Sequence, residues 1–461
     1  MRLEYDSMGE MPVPDDALYG AQTARAVENF RISGEGLGRE LIAALGQIKL
    51  AAARVNRDLG LLPPAMAEVV MRAAAEVVDG TLDRHFPVDI FQTGSGTSSN
   101  MNANEVIANR ARQLAGGGPG ALAIHANDHV NLGQSSNDVV PAAIHLAALV
   151  MIEQGLLPAL DRLLAGLTDK VVAFDPIVKI GRTHLQDATP IRLGQEFSAF
   201  ASQVEHAMAH IRASCDHLRE LAIGGTAVGT GLNTHAEFGR RMAAELSAMT
   251  GVGFREAGNH FEAQAGQEAA VQMSGTLKTL ACALMKIAND IRWLGSGPRL
   301  GLGELILPPV QPGSSIMPGK VNPVIAEALI LVCAQVIGND SAITIGGLYA
   351  NFQLNTMLPL IARNLIQQIR LLTNGCTTFT DKLLHGLVAE EGRIRAANER
   401  SLALVTALAP AIGYDRAAEI AKKAHADGRT IREVARELGV LPEAELERLL
   451  DPRQQTGKDD S

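Results

Sequence analysis

Four separated stretches of this chain are crowded with groups that bind anions or move protons, and they hold few core positions. The first is Thr93-Gly94-Ser95-Gly96-Thr97-Ser98-Ser99-Asn100-Met101-Asn102. The second is His125-Ala126-Asn127-Asp128-His129-Val130-Asn131, continuing into Gln134-Ser135-Ser136-Asn137-Asp138. The third is Gly313-Ser314-Ser315-Ile316-Met317-Pro318-Gly319-Lys320-Val321-Asn322-Pro323, and the fourth, shorter, is Gly181-Arg182-Thr183-His184-Leu185-Gln186-Asp187-Ala188. Hydroxyl donors, backbone N–H groups and a lysine suit a ligand that carries carboxylates. The glycines of the third stretch permit mobility and close backbone approach, as a loop closing on a dianion and excluding water would need. One Ser/Gly string alone is ordinary turn chemistry. Four in one chain, one with Lys320 and another with His184, gather several kinds of catalytic group.

Other motif-like strings fail on inspection. Gly229-Thr230-Gly231 resembles part of a dinucleotide loop, but no third glycine follows at the right spacing and no clear strand precedes it. His206 and His210 lie four apart on an expected helix but lack a third ligand and the glutamate of an HExxH motif, so they read as a solvated face. The four cysteines, Cys215, Cys282, Cys333 and Cys376, form no CxxC pair and read as buried or free thiols in a reducing compartment. No metal-ligand set is seen.

The elements that must carry these stretches are helices. Of 461 residues only 3% are aromatic, whereas 47% are apolar and 20% charged, which favours helices packed through small side chains. Apolar residues recur at three- and four-residue steps over Leu41–Leu59, Pro64–Val78, Ile144–Val172 and Val271–Leu294. Strand-like alternation is almost absent, so the expected fold class is all-α with long central helices. The length implies more than one domain. Punctuation divides it at 1–135, 136–390, with the loop 313–323, and 391–461, where Thr430-Ile431-Arg432-Glu433 is a capping box. A glycine-rich loop is read at Gly116–Gly120, and the polar tail from Asp451 to Ser461 reads as disordered. The net charge of −9 argues against nucleic acid or anionic membrane as the main partner. The start has no apolar segment of a signal peptide, and no uninterrupted apolar run reaches membrane-spanning length, Ala328–Val336 being too short. The expected location is cytoplasmic.

With these residues in view, the chain resembles the fumarase/aspartase superfamily. Gly313–Pro323 is similar to its signature loop, and the other stretches, Tyr19-Gly20-Ala21-Gln22-Thr23 and Gly224–Asn233 follow in the same order. Within it the chain is most similar to the class II fumarases, by Pro318-Gly319-Lys320, by Thr183-His184-Leu185-Gln186, and by His125 with Asn127 and Asp128. The resemblance implies a three-domain fold whose long-helix bundle assembles a homotetramer with shared active sites. It implies reversible hydration of fumarate to (S)-malate, as in the tricarboxylic acid cycle, without metal or organic cofactor. Ser314 would be the base, His184 the group handling the hydroxyl, and Glu327 its acidic partner. Substrate would be held by Ser95, Gly96, Thr97, Ser135, Ser136, Asn137, Thr183, Ser315, Lys320, Val321 and Asn322. His125, Ala126, Asn127 and Asp128 would form a second, non-catalytic dicarboxylate site. The plainer reading of His125 and Asp128 is a helix-start cap.

Three positions depart from the pattern. Gln353 stands where fumarases usually have glutamate, Leu358 where they have a basic residue, and Leu132 where a lysine is common. Competing functions are an aspartate ammonia-lyase, a hydratase of a substituted fumarate, and a non-catalytic structural homologue. The last is disfavoured because Ser314, His184, Lys320 and Asn322 are all present.

Overall fold

The computed structural model describes residues 1–116 and 122–457, so the glycine-rich segment read at 116–120 lies, beyond Gly116, outside them. In chain order the elements that matter are strands β1 (Arg2–Asp6) and β2 (Gly9–Val13), then helices α1 (Ala21–Asn29), α2 (Arg39–Asp58), α3 (Pro64–Val78), α4 (Thr97–Leu114) and α5 (Ser136–Met151). Next come α6 (Leu157–Phe174), strands β3 (Val178–Thr183) and β4 (Gln186–Arg192), α7 (Leu193–Leu218) and α8 (Phe238–Thr250). They are followed by α9 (His260–Ala265), α10 (Glu268–Leu294), α11 (Val324–Leu348) and α12 (Leu358–Phe379). The fold is mostly α, as the apolar periods require.

The local rules account for the helices. Leu41, Leu45, Ile48, Ala52 and Val55 are buried along α2 at helical steps. In α10 the stripe Leu277, Leu280, Leu284, Ile287, Ile291 and Leu294 is buried throughout. The run expected over Ile144–Val172 is instead two helices joined by a π-helical turn at Ile152–Leu156. Pro158 follows that turn and has no N–H to give, which frees a carbonyl in the preceding turn and favours such a widening. Thr430 and Glu433 cap each other as expected (2.8 and 3.2 Å).

Two further readings need correction. Strands are present as two-stranded ribbons, five among the described residues. They are too short to leave a clear alternation in the sequence. The tail is ordered as far as residue 457: Asp451 caps a short 3-10 turn at Pro452–Gln455. Thr456 is buried, its hydroxyl bonded by Arg192 (3.3 Å) and its carbonyl by Gln195 (2.9 Å). A polar composition does not imply disorder when tertiary partners take up the polar groups.

The chain forms two compact units. Unit 1 comprises Met1–Pro158, Ala207–Ala281 and Val332–Thr373; unit 2 comprises Ala159–His206, Cys282–Leu331 and Asn374–Ser461. In unit 1, α2 packs on α3, α5 and α8, and α3 packs on α4. In unit 2 the β3–β4 hairpin rests on the helix Glu391–Arg400, above a buried ion cluster. There the Lys179 ammonium lies 2.7 Å from Glu196 and 2.9 Å from Glu304, and Arg182 lies 2.5 Å from Glu304. By length and composition two helical stretches could cross a membrane although charges interrupt both: Ser136–Phe174, whose 18-residue apolar window is 72% buried, and Val324–Leu348, whose window is 33% buried. Interrupting charges had hidden the second; Asp340 within it is buried and held by Ser274 (2.8 Å) and Lys278 (2.6 Å).

Candidate active site

In unit 1 the first two polar stretches end at one place. Gly96, with φ +73°, ends the Thr93–Gly96 turn and starts α4 at Thr97. Ser135 caps α5, which starts at Ser136. The starts of the two helices meet: Thr97 Oγ1 lies 2.7 Å from Ser136 Oγ and 2.8 Å from Ser95 Oγ. Asn137 donates from Nδ2 to the Ala227 carbonyl (2.9 Å), which fixes its amide beside them. Two converging helix N-termini with hydroxyls between them form an anion-binding surface. Gly94 is required there because a Cβ would collide with the Thr356 carbonyl oxygen. The Leu358 amide donates to Gly94 O (2.9 Å), so this departure from the family pattern lies directly behind the stretch. Gln353 sits exposed at a hairpin tip, and the Leu132 carbonyl accepts from Asn56 (3.0 Å).

Two buried charges support this cluster, and sequence reading assigned neither a role. Asp138 is fully buried and accepts from the backbone N–H groups of Ser135 (2.9 Å), Gly224 (3.0 Å) and Thr226 (2.9 Å). The Gly224–Asn233 segment is therefore a bracket for the start of α5, not a nucleotide loop. Burial pushes the Asp138 carboxyl up to about 6, against the pull of those N–H groups and of Lys49. Lys49, fully buried on α2, donates to Asn131 Oδ1 and Gln134 Oε1, both at 2.9 Å. Burial pushes its ammonium down to about 7, offset only in part by the negative charge of Asp138. A lysine four residues after the core position Leu45 was the available signal.

In unit 2 the reactive groups sit on exposed turns. Thr183 pairs with Gln186, leaving His184 and Leu185 as a two-residue hairpin loop. Both have positive φ, +56° and +60°, the signature of a type I′ turn that Asn-Gly would normally fill. The exposed His184 is thus held at a tip by a conformation costly for its residue types. The third stretch closes on itself: Gly313 N donates to Lys320 O (2.8 Å), and Asn322 Nδ2 to Gly313 O (2.7 Å). Inside it, Ser314 Oγ accepts from the amides of Ile316 (3.2 Å) and Met317 (3.0 Å). Two N–H donors on one hydroxyl oxygen favour its alkoxide form. Ser315, Lys320 and Val321 are exposed on the same loop, and Glu327 is exposed in the first turn of α11.

The structure brings Ser95, Thr97, Ser135, Ser136 and Asn137 together around Gly96, and Ser314, Lys320 and Asn322 into one loop. Among the described residues no hydrogen bond or ion pair joins His184 to Ser314 or to Glu327. His125 takes the capping role: its Nδ1 accepts from Asp128 N (3.2 Å) at the start of the turn Ala126–Val130 and lies 3.1 Å from the Asp128 carboxylate. His125, Ala126 and Asn127 also line a cavity of about 410 Å³ with Arg112. His206 and His210 are exposed on α7. Among the described residues no group of three or more His, Cys, Asp or Glu could hold a metal ion.

Comparison with known proteins identifies the family. Residues 9–338 match the lyase family, and residues 404–457 match the fumarase C C-terminus. A class II fumarate hydratase of Thermosynechococcus vestitus is 56% identical over 97% of this chain and 96% of its own length. The crystal structure of a recombinant class II fumarase from Schistosoma mansoni superposes with a TM-score of 0.95 at 39% identity, covering 99% of each chain. A fumarate lyase:delta crystallin structure from Brucella melitensis, bound to cobalt, gives 0.93 at 46% identity, covering 99% of this chain and 100% of that one. The chain belongs to the lyase family, and within it to the class II fumarate hydratases.

Proposed function

We propose that this chain is a fumarate hydratase that interconverts fumarate and (S)-malate, with Thr97, Ser136 and their neighbours holding substrate carboxylate. The 2.7 Å contact between Thr97 and Ser136 at two helix starts carries the reading. In the dehydration direction Ser314, as alkoxide, takes the proton from the carbon beside one carboxylate. The electron pair moves into that carboxylate, giving a doubly charged aci-form that Lys320, Asn322 and amide donors stabilise. The pair then forms the double bond as the hydroxyl leaves on the other face, protonated from the His184 side as water. Glu327 is the acidic partner that orients His184. Gly96, Thr183, Ser315 and Val321 complete the substrate surface, and His125–Asp128 offers a second dicarboxylate site.

A homotetramer with shared active sites belongs to the same proposal. Support comes from the exposed, apolar α11, where Leu331 and Ile345 face solvent in the single chain, an unusual state for such side chains. The division at 135 and 390 and a cytoplasmic location complete it. The test is an ultraviolet assay of fumarate formation. Malate is expected to yield fumarate, in the presence of a chelator as well, and aspartate almost none. The reverse ratio would identify an aspartate ammonia-lyase.

A further inference from the structure

We propose that Lys49 is a positioning residue of the carboxylate site, holding the turn that presents Ser135, Ser136 and Asn137 and supplying a buried amine that takes up a proton when the dianion binds. The inference rests on the assignment of the Thr97–Ser136 cluster as the substrate site.

The geometry is specific. Among the described residues the Lys49 ammonium forms no ion pair with a carboxylate; its hydrogen bonds there go to neutral amide oxygens, those of Asn131 and Gln134. Gln134 directly precedes the cap residue Ser135. Asn131 is also bonded by Asn100 Nδ2 from α4 (3.3 Å) and itself donates to Gln134 O (3.1 Å). One ammonium therefore ties α2 to the turn that starts α5, and through Asn131 to α4. These are the two helices whose N-termini meet at Thr97 and Ser136. A fully buried lysine that met no functional need would more economically be an apolar residue.

Charged groups on the elements that pack against α2 are engaged elsewhere. On α3, Glu76 is paired with Arg110; on α8, Glu245 is paired with Arg54 and Arg241 with Glu237. On α4, Glu105 accepts from Gly20, Gln22 and Thr23. Next to the turn, Asp128 lies against His125. Asp138 acts electrostatically on Lys49, and its carboxylate is already shared among three backbone N–H groups. The cation is thus under-compensated until an anion arrives. A bound dicarboxylate raises the affinity of Lys49 for its proton, and since burial has pushed that ammonium down to about 7, binding is coupled to proton uptake just above neutral pH.

The test is calorimetric titration of the intact enzyme with succinate, an unreactive dicarboxylate, near pH 7.5 in two buffers of different ionisation enthalpy. Wild type is expected to take up a fraction of a proton per site, and less as the pH is lowered below about 7, where Lys49 is already charged. His184→Asn should keep that uptake, and Lys49→Met should lose it while still binding more weakly. In steady state, Lys49→Met should raise KM for malate about tenfold at pH 7 and change kcat less than about threefold. It should also flatten the rise of KM with pH above neutrality. Uptake that survives in Lys49→Met, or wild type that binds succinate with no uptake, would overturn the role of Lys49. Undiminished succinate binding in a Thr97→Ala/Ser136→Ala variant would instead show that the underlying site assignment is wrong.

Discussion

The two halves of the candidate machinery are built in opposite ways. In unit 1 the hydroxyl cluster is packed and pre-bonded, with its hydroxyls in contact and two buried ionisable groups behind it. In unit 2 His184 and the Ser314 loop are exposed and hold their shape through their own backbone. Substrate orientation needs a rigid surface whose reorganisation is settled at folding. A base and an acid that work on opposite faces of a small substrate can be delivered on projecting turns from elsewhere in an assembly. The contrast separates residues whose loss harms binding and stability from those whose loss harms chemistry alone.

The largest expected effect is on chemistry. Ser314→Ala should lower kcat by about 10²–10⁴-fold with melting temperature unchanged, and His184→Asn should lower kcat as much without loss of stability. Undiminished turnover in Ser314→Ala would remove this serine as the base. Gly94→Ala tests the rigid half: its Cβ meets the Thr356 carbonyl oxygen, so a loss of about 1–3 kcal/mol by denaturant unfolding is expected, together with a raised KM. A variant as stable as wild type would mean that this backbone yields easily.

Asp89 sharpens the same side by pH. Burial alone would raise its carboxyl, but bonds from Phe91 N and from Ser33 Oγ, Ser33 N and Gly34 N bring it down to about 2. Because the folded value lies below the unfolded one, its stabilisation is present above about pH 4 and fades as pH falls toward 2. Asp89→Asn should therefore melt lower than wild type at neutral pH, and the gap should close in acid. A gap independent of pH would assign the loss to packing. The smallest effect concerns the exposed half: Leu185→Asn should gain about 0.5–1 kcal/mol in stability, because asparagine tolerates positive φ. A loss would mean that the Leu185 side chain contributes more than its strained backbone costs.

Much of the molecule was legible from local rules. The stripe of α10, the Thr430 capping box and the start of α3 follow from spacing and cap chemistry, whereas α5 starts at Ser136, ahead of the apolar run read from Ile144. The four polar stretches stood out because catalytic and anion-binding residues obey no packing period. The π-turn before Pro158, the ordered tail and the short ribbons were not legible, since each depends on contacts distant in sequence. His184 illustrates the limit most clearly. Its side chain announced chemistry, yet His-Leu is a poor sequence for the turn it occupies, so local propensity pointed away from its conformation.

By itself the sequence determined the helical class, the polar stretches and the chemical groups available, because periodicity, caps and residue types act locally. Only the tertiary structure decided that Thr97 and Ser136 touch, that Gly94 lies against Thr356, and that Lys49 and Asp138 are buried charges behind the cluster. Those facts depend on which helices meet and how much water they exclude. Desolvation, which sets the proton affinity of a buried lysine, is a property of the packed interior and is written in no single segment of the chain.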